Sequence, residues 1–218
     1  MTLSQMRSKV RFLTKRQSSS LSDDEIKDWL NWAQRWLAEI FDFREMETID
    51  TTLKCSTDTN KVAIPSSWKK IKTIVCEDGN NSKLLERRNS WDFDFKHPYF
   101  TLSQRPSLYV FFGNYIELYP NPNDTYTLRC RVLKYPDDLS ADDDTSSLNK
   151  DMLLVALASY WILIGLRDLE GAKLLDAKWI TPLLASYQEF VDDRFKGMVI
   201  QPSFQPNKAG QKAYYNPF

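Results

Sequence analysis

Leu3, Met6, Val10 and Leu13 recur at spacings of three and four, which predicts a short amphipathic helix over residues 2 to 15. Ser18, Ser19 and Ser20 interrupt it. A longer apolar stripe follows through Ile26, Trp29, Leu30, Ala33, Trp36, Leu37, Ile40 and Phe41. Its start is marked by Ser22 and Glu25, an S-x-x-E capping box in which each side chain reaches the other's free N–H, with Leu21 and Ile26 as the hydrophobic staple. Trp32 lies off this stripe, at either an intersubunit contact or a partly exposed position beside the core.

After Phe43 the period changes. Residues 61–64, 71–76, 108–112, 115–119 and 126–133 are short, aromatic or β-branched, and bounded by turn residues, so they read as strands. Gly113-Asn114 joins two of them as a primed two-residue hairpin, both central positions being expected to take positive φ. Thr127, Arg129 and Arg131 alternate with Leu128, Cys130 and Val132, giving one polar and one apolar face. The middle third is therefore expected to be a small antiparallel β unit.

Residues 136–147 hold five Asp and no base, a composition that suits a loop leading into a helix amino terminus. The predicted helix from Leu148 to Leu166 is apolar nearly all round, so it is central to one protomer or sandwiched between protomers; Trp161 on it joins Trp32 as a candidate for the subunit interface. A last helical region spans Leu169 to Lys196 and carries Leu175, Trp179, Leu183, Tyr187, Phe190 and Val191; Pro182 is expected to kink it or restart it with Thr181 as N-cap. From Ile200 the chain has Pro202, Pro206 and Pro217 and no period, which predicts an extended arm. Phe204, Tyr214, Tyr215 and Phe218 would be costly to leave in water, so their expected fate is a partner's grooves, the alternative being a fold back onto the same domain.

The expected class is thus α+β: a helical bundle of about four helices with an inserted antiparallel β unit and a carboxy-terminal arm. The boundaries fall at residues 1–45 and 137–199 for the bundle, 46–136 for the insertion and 200–218 for the arm.

Composition narrows the function more than it refines the fold. With 29 basic and 29 acidic residues the chain has no net charge, which removes the general positive field of a non-specific nucleic-acid binder. Cys55, Cys76 and Cys130 form no CxxC and read as reduced thiols. The amino terminus lacks the apolar run of a signal peptide, and the most apolar stretch, residues 152–166, is too short to span a bilayer; no membrane is expected as partner. His97, the single histidine, sits in an aromatic loop that reads as packing, and the 6 glycines form neither a Walker-type loop nor GxGxxG. No catalytic residue, metal or cofactor is expected.

Two other readings have concrete residues. A DNA-binding packaging accessory would use the bases in 7–16 and 69–72. A cell-wall hydrolase would use Asp142, Asp143 and Asp144 or the pair Asp192-Asp193, although that chemistry needs one acid held protonated in an apolar pocket.

The order of segments resembles the tailed-bacteriophage head-to-tail adaptor, or head completion, proteins. The resemblance is carried by MTLSQMRSKVRFLT, LSDDEIKDWLNWAQRWLAEI with its L-N-x-A-Q, VAIPSSWKKIKTI with its I-P-x-x-W-x-x-I, YIELYPNPNDTYTLRCRVLKYPDDLSADDD with its I-x-L-x-P-x-P and Y-P-x-x-L-S, and LNKDMLLVALASYWIL. It implies a virion protein, not an enzyme, assembled as a dodecameric ring at the head–tail junction. Such a ring continues the DNA channel between the portal protein above and a tail or nozzle protein below, without sequence-specific DNA contact. The arm that grips the portal would be the one bearing Phe204, Tyr214, Tyr215 and Phe218, and Asp142 to Asp144 would face the channel. Residues 79–103, longer and more aromatic than the family pattern, would contact the tail side.

Overall fold

In the computed structural model, which describes residues 1–16, 20–57, 59–79, 81–96 and 101–186, the two expected amino-terminal helices form as α1 (Leu3–Thr14) and α2 (Asp23–Ile40). The Ser22–Glu25 box closes in both directions: the Glu25 N–H donates to Ser22 Oγ at 3.2 Å and the Ser22 N–H donates to Glu25 Oε2 at 2.9 Å. α1 has an equivalent box that the pattern analysis passed over, in which the Thr2 N–H donates to Gln5 Oε1 at 3.1 Å and the Gln5 N–H donates to Thr2 Oγ1 at 3.4 Å. α1 ends at Lys15, whose φ of 53° turns the backbone out of the helix.

The middle of the chain makes β1 (Glu47–Cys55), β2 (Lys61–Ala63), β3 (Trp68–Asp78), β4 (Asn81–Leu84), β5 (Glu86–Arg87), α3 (Ser90–Lys96), β6 (Leu108–Phe112), β7 (Tyr115–Tyr119) and β8 (Tyr126–Lys134). These strands form two four-stranded sheets, ordered β1-β8-β3-β4 and β2-β7-β6-β5. The insertion is therefore larger than the single antiparallel unit expected, and it is not wholly antiparallel, because β5 pairs parallel with β6. At the β6–β7 hairpin only Gly113 takes positive φ, +58°, as the first central residue of a type II′ turn does; Asn114 does not share it.

Both sheets contribute to one apolar core. Leu128, Cys130 and Val132 of β8 are fully buried in it, together with Ile74 and Cys76 of β3 and Ile116 and Leu118 of β7. All three cysteines are free and buried there, and burial pushes the Cys130 thiol up to about 12. The intervening Arg129 and Arg131 pair with Glu77 at 2.5 Å and Glu47 at 4.0 Å on the other face.

β1 carries a bulge between Asp50 and Leu53. Burial there opposes ionisation of Asp50. The Thr52 hydroxyl at 2.6 Å, the Thr52 N–H at 2.9 Å and the Lys134 ammonium at 2.9 Å outweigh it and hold the carboxyl at about 2. A carboxylate depressed from 3.8 in this way adds stability above its unfolded value and loses it as pH falls from about 4 to about 2. Asp50→Asn is expected to remove roughly 2 kcal/mol of that acid-dependent stability. Urea unfolding at pH 6 and pH 2.5 checks this: the wild type and the variant should differ at the higher pH and converge at the lower.

A second core belongs to the helices. α4 (Asp151–Gly165) packs on α1, α2 and α5 (Leu169–Leu175), and the run from Leu153 to Ser159 is buried on every side. α4 starts later than the predicted Leu148, because Asn149 takes positive φ (52°) and Lys150 becomes the N-cap. Thr181 is not an N-cap either. Asp176–Ile180 forms a π turn in which the Thr181 N–H reaches back five residues to the Asp176 carbonyl, and helical backbone continues through 181–186. The wider turn makes room for the Pro182 ring, which would otherwise clash with the carbonyl one turn back. Tyr187, Phe190 and Val191 lie outside the described residues. Among the described residues no helix is long and apolar enough to cross a membrane.

Candidate functional site

The two tryptophans assigned to a subunit interface come from α2 and α4 and meet at 4.5 Å between ring centroids. Trp29 lies 5.2 Å from Trp32, and Trp36 stands edge-on to Trp161 at 5.7 Å. The cluster is anchored by its inner members, whereas Trp32 remains 50% exposed. An aromatic surface held rigid by its own packing loses little entropy on docking, which is what a contact anchor requires.

The acidic loop is built into the bundle. The carbonyls of Asp144 and Asp142 accept from the Leu3 N–H at 2.8 Å and the Ser4 N–H at 3.1 Å, so the loop satisfies free donors at the start of α1. The Asp142 carboxylate pairs with Arg7. Asp144 accepts from the Ser140 N–H at 2.7 Å, the Ala141 N–H at 2.8 Å and the Ser140 hydroxyl at 3.0 Å; these bonds hold its carboxyl below the usual range. A glycosidase acid needs the opposite displacement. Asp143 is exposed.

A latch that the sequence analysis did not single out joins this loop to α2. The Asn31 side chain donates to the Leu139 carbonyl at 3.0 Å and accepts from the Leu139 N–H at 2.7 Å, in the manner of a short strand pairing. Gln34, fully buried, donates to the Asp137 carbonyl at 2.7 Å and accepts from the Ser146 hydroxyl at 3.3 Å. The L-N-x-A-Q and Y-P-x-x-L-S segments are thus two halves of one contact. The available signal was a polar pair at i and i+3 beside an apolar stripe, which ordinary helix patterning does not explain.

Five of the eight cations on which a DNA-binding reading relies are engaged, and Lys9, Lys15 and Arg16 are exposed. Arg7 is buried, and Arg11 pairs with Asp23 at 2.7 Å. Lys69 donates to the Phe41 carbonyl at 2.9 Å and pairs with Asp42 at 3.0 Å; Lys70 pairs with Asp42 at 2.9 Å and Lys72 with Glu47 at 2.6 Å.

Within residues 79–103, α3 is fixed by Phe93, which is buried and edge-on to Tyr119 at 6.1 Å. Its other face presents Trp91 and Phe95, stacked at 5.4 Å and 72% and 71% exposed. The arm residues Phe204, Tyr214, Tyr215 and Phe218 lie outside the described residues, as do His97 and the Asp192-Asp193 pair. Among the described residues no group of three or more His, Cys, Asp or Glu side chains is placed to hold a metal ion.

These surfaces suit contacts with other proteins, and the comparison with known families agrees in kind. No curated protein matches the chain. The family model described as SU10 adaptor protein matches residues 1–198 of the 218, nearly the whole sequence. The chain therefore belongs to the SU10 adaptor protein family, a family of phage structural adaptors.

Proposed function

We propose that the protein forms a ring, of twelve copies by the resemblance, that joins the phage portal to the tail and continues the DNA channel. The observation that carries this reading is the match of residues 1–198 to the adaptor family. Trp32 and Trp161 supply a preformed aromatic surface for subunit contact, and Trp91 with Phe95 supplies a second one for a tail-side protein. The arm with Phe204, Tyr214, Tyr215 and Phe218 docks on the portal, each ring seeking an apolar pocket. The loop of Asp142 to Asp144 faces the channel, where Asp143 contributes the exposed charge that repels passing DNA.

The DNA-binding alternative has less support, since Arg7, Arg11, Lys69, Lys70 and Lys72 are engaged with carboxylates of the chain itself. The hydrolase alternative loses its nearest acids to Arg7 and to the Ser140 turn.

Loss of this chain during infection is expected to leave filled heads without tails, visible by electron microscopy. Tailed, infectious particles assembled without it would contradict the reading.

A further inference from the structure

A contact repeated around a ring is heterologous: every copy presents two different surfaces, one to each neighbour. On the ring assembly proposed above, the Trp32–Trp161 surface is one of the two. The other must be uncovered in the isolated chain and complementary to it in charge and shape.

α1 offers that surface. Phe12 is 81% exposed, more than any other large apolar side chain among the described residues. Lys9 lies one turn before it on the helix, Lys15 and Arg16 follow the end of the helix and line the same surface hollow as Phe12, and all three are exposed. The remaining bases of α1, Arg7 and Arg11, turn inward to Asp142 and Asp23. α1 contains no acidic residue. Thus the buried side of this helix pairs its charges within the chain, and the outward side presents an aromatic ring inside a positive rim.

α2 is the reverse. It carries five acidic residues, Asp23, Asp24, Glu25, Asp28 and Glu39, against Lys27 and Arg35. Asp28 lies one turn before Trp32 and is exposed, whereas Asp24, two turns before it, already pairs with Lys27 at 2.8 Å. The half-exposed Trp32 ring therefore has the Asp28 carboxylate one turn away on its own helix face. A cation brought over a tryptophan face gains a further attraction, stronger where water is excluded.

We infer that the outward face of α1 in one copy, anchored by Phe12 and rimmed by Lys9, Lys15 and Arg16, docks on the Trp32–Trp161 face of the next copy, where Asp28 receives the cations. Among the described residues both faces remain open, so the proposed pairing runs between copies. One repeated contact then covers both aromatic surfaces and neutralises both charged rims, in keeping with the zero net charge of the whole chain. Duplex DNA on the α1 face would satisfy the lysines and leave Phe12 and the acidic tryptophan face in water.

The test uses the full-length chain, alone and with purified portal rings, and reads particle mass across a range of concentrations. Reversing one rim, with Lys9→Glu and Arg16→Glu, is expected to weaken self-association roughly tenfold or more, and reversing the other with Asp28→Lys to act in the same direction. The two variants mixed in equal amounts should assemble again, because each then meets an oppositely charged neighbour on both sides in an alternating ring. Recovery on mixing is an outcome that general damage to the fold does not produce. Phe12→Asp, at a site with little packing to lose, tests the anchor and should weaken assembly without lowering the unfolding midpoint.

Reversed variants that associate as the wild type does, or a mixture that fails to recover, would overturn the pairing while leaving the ring standing. So would retained assembly accompanied by loss of salt-sensitive DNA binding in the Lys9→Glu, Arg16→Glu variant, which would give the α1 face to DNA. A wild-type chain that keeps the mass of one copy even on portal rings would remove the ring reading itself, and the pairing with it.

Discussion

A chain ending at Val199 is expected to fold as the full chain does and to lose attachment to portal rings by about a hundredfold or more. The fold should survive because every residue of the two described cores precedes that point, the last being Leu184 at the margin of the helical core. On the proposed docking, the loss should be large because the aromatic side chains of the arm would act together. Full burial of a Phe side chain contributes about 1.5–3 kcal/mol, and much of that is offset by the conformational entropy lost on docking. One arm is then a weak ligand. On the proposed ring, twelve arms held at fixed spacing would convert each later docking into an intramolecular event, and the combined attachment would be strong. Co-sedimentation of the full and shortened chains with portal rings reads the difference, and undiminished attachment of the shortened chain would deny the arm its role.

The second large effect concerns the latch between α2 and the acidic loop. Gln34→Leu keeps the volume but removes the bond to the Asp137 carbonyl and leaves the buried Ser146 hydroxyl without its acceptor, which is expected to cost about 2 kcal/mol. Asn31→Ala removes both bonds to Leu139 and should cost a similar amount. The two side chains also touch, the Gln34 amide donating to Asn31 Oδ1 at 3.3 Å, so the double variant should cost less than the two single changes together. Urea unfolding gives all three values. A cost below about 0.5 kcal/mol for either single change would mean that water replaces these bonds freely.

The latch also shows how far the sequence could be read. α2 was legible because Ser22 and Glu25 mark its start and the 3,4 stripe is unbroken, both local facts. Asn31 and Gln34 acquire their meaning only when a loop more than a hundred residues away crosses the helix, and no local pattern carries that information. β1 escaped notice because it is an edge strand with one fully buried residue, Cys55, so the alternation that betrays a half-buried strand is absent. α3 was missed for a different reason. In S-W-D-F-D-F-K apolar and polar residues alternate with period two, yet the segment is a helix that buries Phe93 and leaves Trp91 and Phe95 stacked on its open side.

The basic residues were the least legible of all. Lys69, Lys70 and Lys72 looked like a patch available to DNA, whereas in the fold Asp42 and Glu47 stand opposite them. The pairing of Trp32 with Trp161 was legible only as two separate candidates; their meeting at 4.5 Å depends on how α2 packs against α4. Charge counts along a chain give the sign available to a surface. Tertiary packing decides which of those charges remain to be used.

The most direct test of the account is the mass of the particle formed by the full-length chain on purified portal rings, compared with the same chain alone. The account predicts that the 25.5 kDa chain adds to the portal as one closed set of twelve copies, with no stable partial sets. Addition of a single copy per portal, or of none, would contradict it.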